Sequence, residues 1–142
     1  MQDRIEIFRR VERQYLRDRL GPLGLQPLDG MVLGLADREG PIRQEDMAVQ
    51  MALDKGAVAR SVARLEALGL VARAVSPRCR REKLVSLTPA GEAACRAIGG
   101  VMEEWNRVCY RGFTPEERAR YDGFLTRIVE NVMRFRREEQ DG

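Results

Sequence analysis

Between Gln44 and Leu87 the apolar pattern changes period once, and that switch restricts the fold more than any other feature of the chain. Up to Leu68 apolar residues recur at helical spacing; from Leu70 onward two short strand-like runs replace them. Gln44 to Met51 and Lys55 to Leu68 read as two short helices, the first with Met47, Ala48 and Met51 as its buried side. A tight turn at Ala52-Leu53-Asp54 joins them, Asp54 caps the second helix and Gly69 stops it. Leu70 to Val75 then reads as a strand, Ser76 to Arg81 as a turn, and Glu82 to Leu87 as the returning strand. Two helices joined this tightly and followed by a hairpin predict a helix-turn-helix with a β wing.

The flanks are helical. Gln2 to Leu20 carries Ile5, Phe8, Val11 and Tyr15 at helical spacing and ends at Gly21-Pro22. A second helix is expected from Asp29, read as its N-cap, with Met31, Val32 and Leu35 as its apolar side. After the hairpin, Thr88-Pro89 opens a helix towards Arg111, with Gly99-Gly100 predicting a bend. Thr114-Pro115-Glu116-Glu117 is a capping box for a last helix to about Glu139. The expected class is mostly α with a small β-hairpin wing, in a single domain. The winged helix-turn-helix spans 29–88, and helices over 1–20 and 89–139 flank it.

Composition narrows the function. No apolar run approaches the ~20 residues of a membrane helix, and Met1 to Arg10 lacks the apolar segment of a signal peptide, so a cytoplasmic protein is expected. There is no histidine, which removes the commonest general base and metal ligand. Three widely spaced cysteines form neither a disulfide framework nor a zinc pattern. An enzyme, a metal site and a cofactor are therefore not expected. Net charge is only +3, yet Arg43 to Lys83 holds nine basic and five acidic residues while the remainder is slightly acidic. Such a local excess fits a polyanionic partner, or a solvated arginine-rich face.

On the helix from Lys55, the residues Val58, Val62 and Leu65 define one stripe. Arg60 and Arg64 fall on the opposite side, over the small residues Gly56, Ala57 and Ala63. Small residues let a helix sink into a major groove, where arginine can pair with guanine edges or phosphates. In the hairpin, Arg73, Arg78, Arg80, Arg81 and Lys83 face one acid, Glu82. Like charges that close repel unless a polyanion neutralises them, and a minor groove suits such an arm. The alternative use of this surface is a winged-helix protein-interaction module binding an acidic protein without specific DNA recognition.

Residues Gln44 to Gly91 resemble the multiple-antibiotic-resistance-regulator (MarR) family of bacterial transcription factors. The resemblance is carried by Leu53-Asp54-Lys55-Gly56-Ala57-Val58-Ala59-Arg60, by Leu65-Glu66-Ala67-Leu68-Gly69-Leu70-Val71, and by Arg80-Arg81 followed by Leu84-Val85-Ser86-Leu87-Thr88-Pro89-Ala90-Gly91. The chain departs from the family in three places. Cys79 stands where the wing usually has the aspartate of Asp-x-Arg, and Arg43 opens the first motif helix in place of Ser or Thr. Gly56, Ala57 and Ala59 replace common hydroxyl residues of the recognition helix. The resemblance implies a homodimer that presents two winged domains to a palindromic operator, commonly as a repressor, and often a small aromatic effector. The DNA-binding candidates are Arg43, Gln44, Lys55, Gly56, Ala57, Ala59, Arg60, Arg64, Arg73, Arg78, Arg80 and Arg81. The candidates for dimerisation are Ile5 and Phe8 with the stripe Tyr121, Phe124, Leu125, Ile128, Val132 and Phe135, which a domain this small has little surface to cover.

Cys79, flanked by arginines that favour a reactive thiolate, is a candidate redox switch or an ordinary surface thiol. Cys95, Cys109 and Trp105 read as packing residues, and Arg134, Arg136 and Arg137 as solvated charges near a helix C-terminus.

Overall fold

The structure, a computed structural model, describes residues 2–142, with Gln2 described in backbone only. Its elements run α1 (Gln2–Leu20), a single 3-10 turn (Gly21–Leu23), α2 (Pro27–Glu39), β1 (Ile42–Arg43), α3 (Gln44–Gln50) and α4 (Lys55–Ala67). The hairpin β2 (Val71–Val75) and β3 (Lys83–Leu87) follows, then α5 (Pro89–Cys109) and α6 (Pro115–Asp141). The chain divides into two compact units, one ending at Met102 and one from Glu103 to Gly142. No helix among the described residues is long and apolar enough to cross a membrane.

In the first unit, α2, α3, α4 and the sheet close around one core. Leu33, Met47, Val58, Val62, Leu65 and Val85 are fully buried at its centre. The stripe Val58, Val62 and Leu65 is therefore the inner face of α4, as its spacing predicts, and Ser61 joins it at full burial. The turn before α4 places Ala52 in the left-handed region at φ 53°, and Leu53 N–H returns to the carbonyl of Ala48 at 2.9 Å. The side chain of Asp54 then accepts Ala57 N–H at 3.0 Å, meeting one of the donors that the first turn leaves open. Gly69, at φ 75°, releases the chain into β2.

The sheet has the order β1-β3-β2, all antiparallel. The hairpin pairs Arg73 with Val85 and Val75 with Lys83, and the short β1 adds Ile42 opposite Val85. This third strand is absent from the sequence reading, because two residues carry no period.

Three expectations need correction. α2 starts at Pro27 with Gln26 as its N-cap, and Asp29 sits inside the first turn, fully buried. Met31, expected on the apolar side of α2, is exposed, and Leu33 is buried in its stead. α5 runs through Gly99-Gly100 as one helix and stops at Cys109; exposed glycines lower helix propensity without breaking the i to i−4 ladder.

In the second unit, Thr114 and Glu117 form the capping box that opens α6. The turn before it packs Tyr110 edge-on against Phe113 and Tyr121, with the Arg118 guanidinium 4.3 Å from the Tyr110 ring centre. No residue of α6 is buried.

Candidate nucleic-acid interface

All twelve DNA-binding candidates lie in the first unit. Lys55, Gly56, Ala57, Ala59, Arg60 and Arg64 are on α4, Arg43 and Gln44 are at the start of α3, Arg73 is on β2, and Arg78, Arg80 and Arg81 are in the hairpin loop. The fold sorts these basic side chains into two groups.

The first group is already paired. Arg43 donates from Nε and Nη2 to Asp46 at 2.8 Å each, and from Nη1 to Glu82 at 2.6 Å. One guanidinium thereby joins the first turn of α3 to the base of the wing. Hydrogen bonds to Asp46 first, then Glu82, push the Arg43 pKa above its ordinary value, and the Arg43 bond holds the Asp46 carboxyl below its own. The Arg43–Glu82 pair thus ties the wing to the start of α3 without a carboxylate at position 79. Arg73 grips Glu66 with two nitrogens at 2.8 and 3.2 Å and reaches Gln44 Oε1 at 3.3 Å. Its hydrogen bonds draw the Glu66 carboxyl below the usual range.

Arg64 corrects the expectation that it faces outward with Arg60. Its Nη2 donates to Oδ1 of the buried Asp29 at 2.8 Å, and its buried Nε meets no hydrogen-bond partner among the described residues. Helical spacing places Arg64 about 60° from Ser61, and the long side chain follows Ser61 inward to the same carboxylate oxygen.

The second group comprises Lys55, Arg60, Arg78, Arg80, Arg81 and Lys83. All are exposed and none makes an ion pair within 4.0 Å among the described residues. On α4, Ala59 is exposed beside Arg60, while Gly56 and Ala57 are half-buried. At the wing tip, Ser76 Oγ accepts Arg78 N–H at 3.2 Å and Glu82 N–H reaches Cys79 O at 3.1 Å, so the loop carrying the three arginines is closed on itself. Arg43, Gln44, Arg73, Arg81 and Lys83 line a cleft of about 380 Å³ between the start of α3 and the wing. Lys83 is absent from the candidates chosen from sequence; its charge in the basic hairpin was the available signal. Asp29 and Ser61 gave no such signal, because a single Asp or Ser in a helix reads as a cap or a solvent contact.

Among the described residues no group of three or more His, Cys, Asp or Glu could hold a metal. Cys79 is half-buried in the loop, and Cys79, Cys95 and Cys109 form no disulfide among the described residues. Trp105 is buried, in keeping with a packing role. The dimerisation candidates are open in the single chain: Ile5 and Phe8 on α1, and Tyr121, Phe124, Leu125, Ile128, Val132 and Phe135 on α6, are each at least 43% exposed.

A helix-turn-helix with a three-stranded wing, flanked by long helices, defines a winged-helix protein. A family model described as the MarR family matches residues 23–82. A Thauera aromatica protein, assigned as a transcriptional regulatory protein for the hcr operon, is 30% identical over 117 residues, covering 82% of this chain and 70% of that protein. Among solved structures, a crystal structure of MarR is 31% identical over 97% of this chain and 94% of the other, with a TM-score of 0.86. A mutant MarR from E. coli, complexed with operator DNA, shares the fold at 24% identity and TM-score 0.78, covering 90% and 92% of the two chains. The chain belongs to the MarR family of transcription regulators; it is not an enzyme.

Proposed function

We propose that this regulator binds double-stranded DNA in a sequence-specific way, as a homodimer on a palindromic operator. The carrying observation is the second group of cations: Lys55 and Arg60 on α4, with Arg78, Arg80, Arg81 and Lys83 on the wing, stand exposed in one unit with no ion pair within 4.0 Å among the described residues. The likeness in fold to a MarR seen with operator DNA supports it. α4 enters the major groove, where Arg60 reads a base edge over the small Gly56, Ala57 and Ala59, and the wing arginines meet the adjacent minor groove. Arg43 and Arg73 act by holding the wing and α3 in place, with Gln44 at the first turn of α3.

The open stripes on α1 and α6 are the surfaces a second copy would cover. Two α4 helices one DNA turn apart, ~34–36 Å, then match a palindrome. The regulator works in the cytoplasm and represses, and a small aromatic molecule or oxidation releases it. A cavity of about 800 Å³ in the first unit, lined by Leu16, Leu20, Met31, Leu53 and Ile98 with Arg9 and Arg13, has the apolar walls for such an effector. Oxidation of Cys79 would add bulk beside Arg78 and Arg80 on the wing.

The test is a salt titration of binding to DNA from upstream of its own gene. Arg81→Ala should weaken binding on every duplex and flatten the slope of log affinity against log salt by about one unit. An unchanged slope and affinity would remove the wing from the interface. Binding of an acidic protein in place of any duplex would support the interaction-module reading.

A further inference from the structure

We infer that Arg64 is a positioning residue: through the buried carboxylate of Asp29 it fixes the roll and axial register of α4, and with them the direction in which Arg60 is presented. The inference rests on the reading of α4 as the helix that meets DNA.

Asp29 lies in the first turn of α2 and is fully buried. A carboxylate out of water is costly unless donors surround it. Here Oδ2 accepts Gln26 N–H at 2.8 Å, which ties the carboxylate to its own helix. Oδ1 accepts the Ser61 hydroxyl at 2.7 Å and Arg64 Nη2 at 2.8 Å. Ser61 and Arg64 are three residues apart on α4, so groups from successive turns converge on one oxygen of α2. Such a tie resists both rolling and sliding. The stripe Val58, Val62 and Leu65 holds α4 to the core without direction, since apolar attraction scales with area and tolerates small rotations.

The buried Nε of Arg64 has no acceptor among the described residues. An unmet donor costs stability, so the pair is better explained by the geometry it enforces than by the energy it supplies. Arg60 lies one turn before Arg64, and its guanidinium folds over Gly56, where a Cβ would stand 3.2 Å from Nη1. A group about 6 Å from a helix axis moves roughly 1 Å for a 10° roll. That displacement exceeds what a two-point contact with a base edge tolerates.

The test uses the full-length protein, a duplex enriched from a random library by the wild-type chain, and a random-sequence duplex beside it. Arg64→Ala and Asp29→Asn should each lose at least ten-fold of the preference for the enriched duplex. The double variant should lose no more than the larger single loss, because both act through one tie. The salt slope on the random duplex should stay at the wild-type value, and Arg64→Lys, which restores a donor to Asp29, should recover part of the preference. A fall of about one unit in that slope for Arg64→Ala marks a lost phosphate contact and overturns the inference. Variants that melt earlier but keep the wild-type preference overturn it too, since they reveal a purely structural pair. Should Asp29→Asn fail to fold, Arg64→Met, which keeps the length of the side chain and removes every donor to Asp29, takes its place; retention of full preference there has the same consequence. If the wild-type chain enriches no duplex, the DNA reading itself falls and the inference with it, an outcome separate from all the others.

Discussion

Gly91 and the pair Gly99-Gly100 lie on the same helix, yet alanine at these positions should move stability in opposite directions. The first turn of α5 is pressed onto the chain that leaves α4. Thr88 N–H donates to Leu70 O at 3.1 Å, and Thr88 Oγ1 donates to Gly69 O at 2.6 Å while accepting Gly91 N–H at 3.0 Å. A Cβ on Gly91 would overlap the carbonyl oxygen of Leu70 and stand 3.2 Å from Leu87 Cδ2. The overlapped atom is backbone, so no rotamer change relieves it and the turn must back away. The two bonds to Gly69 and Leu70 are worth about 1 kcal/mol each, and overpacking adds about 1–3 kcal/mol. Gly91→Ala should therefore cost about 3–5 kcal/mol. At Gly99 and Gly100 an added Cβ meets nothing within 4 Å, so alanine should gain about 1 kcal/mol at each through helix propensity. At roughly 3–4 °C per kcal/mol for a chain of this size, Gly91→Ala should lower Tm by roughly 10–20 °C and Gly99→Ala should raise it by roughly 3–4 °C. Urea and thermal unfolding at one fixed protein concentration, which holds any association constant, measure both. A Gly91→Ala protein within about 0.5 kcal/mol of wild type, or a shift of the same sign for both substitutions, would refute the argument.

Two further outcomes are expected. Ile128→Glu, in the open stripe of α6, should leave the protein at single-chain mass in sedimentation equilibrium where the wild type runs at twice that mass. A wild type that is already monomeric at micromolar concentration would end the dimer proposal. The carboxyls of Asp46 and Glu66 should titrate below their ordinary values by NMR, held down by hydrogen bonds from Arg43 and Arg73. Arg43→Ala should return Asp46 towards the ordinary value and leave Glu66 in place. The sign follows from linkage: a carboxyl depressed in the folded state adds stability above its unfolded value, and that stability is lost as pH falls through the folded value. The change is thus confined to acid, and with Glu66 exposed and Asp46 only half-buried, solvent screening keeps it small. An Asp46 value unmoved by Arg43→Ala would rule out the pairing as its cause.

The elements were legible because their signals are local. The cap at Asp54, the stop at Gly69, the Thr-Pro openings of α5 and α6 and the stripe Val58, Val62, Leu65 each lie within a few consecutive residues, and α1, α4, β2 and β3 fall where those signals place them. The basic segment was legible for the same reason, since charge can be counted along the chain. What each arginine does was not. Arg43, Arg64 and Arg73 look like Arg60 and Arg81 in the sequence, but their carboxylate partners Glu82, Asp29 and Glu66 lie 39, 35 and 7 positions away. Likewise, Gly91 closes a motif and Gly99-Gly100 reads as a bend, but that the first tolerates no Cβ and the second does follows only from the approach of the Leu70 carbonyl. Periodicity, caps and net charge are properties of neighbours in the chain, so the residues alone determined the winged helix-turn-helix and its cationic face. Pairing and steric fit depend on which groups folding brings together, so the tertiary structure alone decided which cations are paired to carboxylates and which are left without an ion pair among the described residues.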